Sequence, residues 1–221
     1  MITLTANISG VIDLNYSNVR SIEGTIIERK NIKMPSWGVV SNNGKVRFVD
    51  SLGDIKKMVE NNQLTDKISI KMFLNNTISK YSEQIGLYWT KSWDYDNNSQ
   101  EIEVTFSDLL EEMQSIKIPK KYYSYFQRGG EIPKTAKDLY ISLRTVSNDK
   151  INKPKNKGFL MKSFEELEQI TQNHLANITI KYPYINEGTL WGHWNKFCEV
   201  TQTHIFVDKQ GYATCKYNEG N

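Results

Sequence analysis

The chain has 221 residues, a net charge of +3, 38% hydrophobic residues and 11% aromatic residues. That is enough apolar material for one large or two small packed domains, which excludes a disordered chain. The charge is too small and too evenly spread for a nucleic-acid binder, and two cysteines are too few for a disulfide framework. The chain opens with no secretory signal, and no apolar stretch approaches the roughly 18–20 residues that span a bilayer. These features predict a soluble protein folding in a reducing cytosol, with no membrane partner and no sequence-specific nucleic-acid partner.

The first half reads as β-structure. Residues 2–8 (ITLTANI) alternate apolar and polar side chains, as a half-buried strand does. Residues 22–29 (IEGTIIER) are β-branched around one glycine, which predicts a bulge or close packing at Gly24. Residues 37–50 (WGVVSNNGKVRFVD) read as a hairpin turning at Asn42-Asn43-Gly44, because Asn-Gly supplies the positive φ of tight turns. Residues 53–64 read as a short helix with Asp54 in its first turn and Ile55, Met58 and Val59 on one face. Strands follow at 66–74, 84–96 and 101–108. Several strands with one short helix predict a closed or nearly closed β-barrel over residues 1–130.

The second half, residues 131–221, changes to α+β character. Gly and Pro cluster at 128–134 (RGGEIPK) and mark the boundary. A helix is predicted over 135–148, capped by Thr135, with Ala136, Leu139, Tyr140 and Leu143 on one face. Residues 149–158 read as a polar, basic loop. A second helix is expected near 163–174, reaching as far as Asn177 and opened by a capping box of Ser163 and Glu166. Residues 178–183 read as a short strand ended by Pro183.

The stretch 189–217 holds both cysteines. Residues 189–201 read as a helix with Thr189 as N-cap. Leu190, Trp194, Phe197 and Thr201 form its inner stripe, flanked by Trp191 and Cys198 on one side and His193 and Val200 on the other. Residues 204–217 read as a hairpin in one of two registers. Pairing Val207 with Tyr212 sets His204 opposite Cys215. A left-handed bulge at Gly211 shifts the register by one and gives Ile205, Val207, Ala213 and Cys215 one shared apolar face, which the hydrophobic pattern favours. Leu190, Trp194, Phe197, Cys198, Ile205, Val207 and Cys215 are therefore the expected core of a helix–hairpin subdomain.

Reactive chemistry is poorly supported. His193 and Cys198 diverge around a helix and no C-x-x-C pair exists, so neither metal nor cofactor is expected. Two buried free thiols are the expectation, with a Cys198–Cys215 disulfide as the alternative if the helix packs on the hairpin. Asp94, Asp96 and Asn98 mimic a calcium loop, but Ser99 and Thr105 replace its required Gly and Glu, so a polar turn fits better. Asp108, Glu111 and Glu112 could act as paired carboxylates, although the first turn of a helix attracts acidic residues anyway. Trp37, Trp89 and Trp93 could stack on sugars. No nucleophile elbow, Walker loop or dinucleotide fingerprint is present. The chain reads as a non-enzyme.

The order of blocks carries more. Residues 35–55 (PSWGVVSNNGKVRFVDSLGDI), 85–96 (IGLYWTKSWDYD) and 101–114 (EIEVTFSDLLEEMQ) precede a helix-rich insert and 190–217 (LWGHWNKFCEVTQTHIFVDKQGYATCKY). This order resembles the tail-hub or baseplate-hub proteins of tailed bacteriophages and related contractile injection machines. Val46–Val49, Gly53–Ile55 and Ile85–Thr90 match the family's barrel elements. Trp191, Trp194, Lys196, Phe197 and Cys198 match its helix, and Ile205, Phe206, Val207, Asp208 and Gly211 its hairpin. The resemblance implies a tail-tube-like barrel followed by an α+β subdomain ending in a helix and β-hairpin.

It also implies a virion structural protein without catalysis, a homotrimer (or, alternatively, a hexamer) joining the tail tube to tip or fibre proteins. Tube, distal tail, tape-measure and spike or fibre proteins would be its neighbours, in a virion tail assembled in the host bacterial cytoplasm. Hub proteins are longer, which implies the N-terminal part of a larger protein or a trimmed one. Exposed barrel edges suit a ring built by edge pairing. Two further readings stay open: a carbohydrate- or receptor-binding tail-tip module resting on the tryptophans, and a polysaccharide hydrolase using Asp108, Glu111 or Glu112.

Overall fold

The computed structural model divides into two units, one built mainly of strands and one holding three of the four described α-helices. It describes residues 2–8, 12–14, 19–24, 38–39, 41–61, 63, 69–76, 78–120, 134–151, 161–181 and 188–217. The strands are β1 (Ile2–Ile8), β2 (Ile12–Leu14), β3 (Val19–Gly24), β4 (Gly38–Val39), β5 (Asn43–Val49), β6 (Ser69–Asn76), β7 (Tyr81–Asp96), β8 (Glu101–Ser107), β9 (Lys134–Thr135), β10 (Thr179–Ile180), β11 (Thr203–Val207) and β12 (Ala213–Tyr217). The α-helices are α1 (Asp54–Glu60), α2 (Ala136–Ile151), α3 (Gln169–Asn177) and α4 (Leu190–Thr201). The mixed α+β class follows directly.

The first unit is a seven-stranded antiparallel sheet in the order β2-β1-β6-β7-β8-β5-β3. Among the described residues no ladder joins the end strands β2 and β3. Alternate residues bury one face: Ile8, Val46, Phe48, Ile70, Met72, Tyr88, Ile102, Val104 and Phe106. Each fully buried side chain of this size contributes roughly 1.5–3 kcal/mol. The opposite face is ionic, with Glu103 accepting from Lys45 at 2.6 Å and Arg47 at 2.7 Å. Gly86 sits under the Tyr88 ring, where an added Cβ would lie 2.4 Å from a ring carbon.

Several predicted details change. The Asn42–Gly44 hairpin does not form: Asn43 and Gly44 lie inside β5, opposite Ser107 and Phe106. The cause is a reciprocal clamp between backbone and side chain. The Asn42 N–H donates to Asp108 Oδ2 at 2.7 Å, and the Asp108 N–H donates to Asn42 O at 2.9 Å, holding the chain extended there. β4 instead pairs in parallel with β11. The bulge expected at Gly24 sits between Val19 and Ser21, while Gly24 pairs regularly with Gly44. α1 is shorter than predicted, and its N-cap is Gly53 at φ +69°. The residues joining β7 to β8 form a polar turn: Asp96 accepts from Asn98 N at 2.9 Å and Ser99 Oγ at 2.8 Å. Those donors hold its carboxyl below the usual range.

The second unit contains α2, α3, α4, two 3-10 turns (Leu109–Gln114 and Phe164–Glu166), a β9–β10 pair and a three-stranded sheet in the order β12-β11-β4. The Thr135 hydroxyl caps α2 by accepting from Asp138 N at 3.1 Å. The helix buries Ala136, Leu139, Tyr140, Leu143, Val146 and Ser147, then continues past the predicted end at residue 148 to Ile151. The helix expected from residue 163 is broken in two. Ser163 N donates to Glu166 Oε2 at 2.6 Å, but this box closes only a 3-10 turn. Leu167 then turns extended and buries its side chain, and α3 starts at Gln169. Gln172 Nε2 holds the break by donating to Glu165 O at 3.1 Å and Leu167 O at 2.8 Å. Residues 128–133 of the predicted boundary, 152–158 of the loop, Pro183 and Trp37 lie outside the described residues.

Candidate functional site

α4 is built as its sequence dictates. The Thr189 hydroxyl accepts from Gly192 N at 3.2 Å, and Gln202, left-handed at φ +53°, ends the helix by donating its N–H to Cys198 O. Its inner face buries Leu190, His193, Trp194, Phe197, Cys198 and Thr201, while Val200 points out, 58% exposed. An aromatic cluster fills the space against α2. Trp194 meets Tyr140 at 5.7 Å and Phe197 at 5.4 Å, both edge-on. The Tyr140 hydroxyl donates to Lys162 O at 2.7 Å, and burial pushes its ionisation well up.

The hairpin takes the bulged register, pairing Ile205 with Cys215 and Val207 with Ala213. Gly211 has φ +92°, and Asp208 N donates to Tyr212 O at 2.8 Å across the turn. Ile205, Val207, Ala213 and Cys215 share a buried face. The structure thus places Leu190, Trp194, Phe197, Cys198, Ile205, Val207 and Cys215 together in one buried interior.

Both edges of the three-stranded sheet are occupied. On the β4 side, Val39 N donates to Asn195 Oδ1 at 2.8 Å. On the β12 side, Lys162 N donates to Ala213 O at 2.9 Å and Tyr217 N donates to Thr171 Oγ1 at 3.0 Å. His174 stacks on the Tyr217 ring at 3.5 Å between centroids, and its Nε2 lies 2.6 Å from Thr201 O. A carbonyl only accepts, so this nitrogen carries a proton.

This arrangement is suited to holding a shape rather than to reacting. His204 pairs with Lys216, not Cys215, and among the described residues no group of three or more His, Cys, Asp or Glu is placed to hold a metal. Cys198 and Cys215 are free thiols, and burial pushes Cys215 up to about 12 and Cys198 up strongly as well. Neither is a nucleophile at neutral pH. Asp108 is 1% exposed and commits Oδ2 to the Asn42 amide. Glu111 and Glu112 sit half-buried in the 3-10 turn of the other unit. Trp194 is fully buried, Trp93 packs against the sheet core, and Trp89 and Trp191 are half-buried. Among the described residues no tryptophan is exposed as a sugar platform would require.

Sequence reasoning missed Asn195, Ser147, Thr203 and His174. Asn195, Ser147 and His174 depend on partners distant in the chain, and Thr203 meets Thr201 only once the chain turns from α4 into β11, so local spacing carries no signal for them.

No protein-family model matches the sequence, and no curated protein matches it significantly. Solved structures do match by shape. The 43 kDa tail protein of prophage MuSo2 from Shewanella oneidensis superposes with a TM-score of 0.51 at 9% identity, covering 100% of this chain and 57% of that one. The tail protein from Neisseria meningitidis MC58 gives 0.51 at 11% identity, covering 97% of this chain and 50% of that one. The chain therefore spans 57% of the length of the first and 50% of the second. At these identities the likeness establishes a shared fold.

Proposed function

We propose that the chain is a structural subunit of a bacteriophage tail, working by assembly and not by catalysis. The observation that carries this reading is the fold likeness, over 97% or more of this chain, to two tail proteins, one of them from a prophage. Within the tail, the block order of the sequence favours the hub or baseplate ring that joins the tube to tip or fibre proteins. A homotrimer, with a hexamer as the alternative, fits that position, and tube, distal tail, tape-measure and spike or fibre proteins are the expected neighbours. The buried Asp108 and Trp194 support the same reading, because among the described residues neither is open to a glycan.

Native mass spectrometry of the purified chain, paired with negative-stain imaging, tests the proposal. A stable trimer or hexamer seen as a ring supports it. A monomer at high concentration that binds or cleaves a glycan overturns it.

A further inference from the structure

Cys198 and Cys215 converge on one hydroxyl. Both thiols hydrogen-bond Thr203, and Cys198 also meets the backbone N–H of Ile205, the residue directly opposite Cys215 in the hairpin. The proton order around Thr203 is fixed by its neighbours. Thr201 Oγ1 donates to Phe197 O at 2.7 Å, so in the 2.8 Å contact between the two threonines Thr203 is the donor. Thr201, Thr203, Cys198 and Cys215 are all at most 1% exposed.

We propose that Cys198 and Cys215 form a cryptic disulfide site, closed by a small-molecule disulfide when α4 and the hairpin separate transiently. The inference is independent of the tail reading. In the closed structure burial holds both sulfurs as thiols, and only a thiolate attacks a disulfide. Opening exposes them to water and restores ordinary acidity. One cysteine thiolate attacks the oxidant's S–S bond, giving a mixed disulfide and releasing one small thiolate. The second cysteine thiolate attacks the protein sulfur of that mixed disulfide, forming the Cys198–Cys215 bond and expelling the second small thiolate. The two electrons pass to the oxidant, and the two thiol protons pass to solvent. The product staples α4 to β12 across a short loop, which disfavours reopening. A reducing cytosol keeps the pair as thiols, whereas an oxidising medium traps any opening of this subdomain.

The wild-type chain is incubated with oxidised glutathione at neutral pH, once untreated and once through a brief pulse of mild denaturant followed by dilution. Intact mass and peptide mapping read the result. The untreated sample should stay at the dithiol mass. The pulsed sample should lose two hydrogens, give a peptide linking residues 198 and 215, and melt several degrees higher than its reduced form. Stable glutathione adducts on either cysteine, a link between chains, or an unlinked dithiol after the pulse would each overturn the site. So would a linked chain that melts below the reduced one.

Discussion

Trp194 Nε1 donates to Ser147 Oγ at 2.9 Å, tying α4 to α2 through two fully buried side chains. Ser147 passes the bond on, donating to Leu143 O at 2.8 Å. Replacing Ser147 with Ala leaves a buried indole N–H without an acceptor, and we expect a loss of about 1–3 kcal/mol. Trp194→Phe removes the donor as well. In the Ser147→Ala background it should cost less than in the parent, because no unsatisfied group remains to be relieved in the parent. Denaturant midpoints of the four proteins close the cycle, and strict additivity would show that the bond contributes nothing.

Gly38 approaches α4 so closely that an added Cβ would lie 2.7 Å from Asn195 Oδ1, the atom that accepts from Val39 N. Gly38→Ala must displace that carbonyl and weaken the bond, for a loss of about 1–2 kcal/mol. Asn195→Ala removes both clash and acceptor. The double variant should therefore lose less than the sum of the single ones, which thermal melts would reveal.

The thiols set an alkaline limit on stability. Burial raises Cys215 from an ordinary 9.0 to about 12, and Cys198 moves the same way. Above the ordinary value the unfolded chain gives up thiol protons that the folded chain keeps. Their contribution is thus whole below about pH 9 and is lost as pH rises toward 12, by up to about 1.4 kcal/mol per pH unit for each group. Denaturant midpoints between pH 8 and 11 should fall accordingly. Cys215→Ala should flatten the slope whatever it does to the absolute value, and an unchanged slope would contradict the assignment.

Those residues also show what was legible from sequence. The hairpin register followed from one apolar face and Gly211, and both cysteines sat where helical phase and pleat placed them. Thr135 and Thr189 announced helix starts because capping is local. The errors share a cause. Asn42-Asn43-Gly44 has turn chemistry, yet the carboxylate of Asp108 outcompetes the turn by clamping the Asn42 amide. The Ser163 box is real, yet burial of Leu167 pulls the chain out of helix within one turn. In each case a contact distant in sequence, or the core itself, overrides a local preference.

Asp108 offers the sharpest test between scaffold and enzyme. Its Oδ2 accepts the Asn42 amide in a site 1% exposed, a charge-assisted bond worth about 1.5–3 kcal/mol. Asp108→Ala leaves that amide unsatisfied and should lose about this much, whereas Asp108→Asn keeps a side-chain oxygen able to accept and should lose less. Urea midpoints give the order directly. A hydrolase would behave differently: Asp108→Asn would abolish polysaccharide cleavage while sparing the fold, because the amide preserves the shape but cannot exchange a proton. We expect a graded loss of stability across the series and no reducing-sugar release even from the parent, since a carboxylate committed to a backbone amide and closed to solvent has no route to a glycosidic bond.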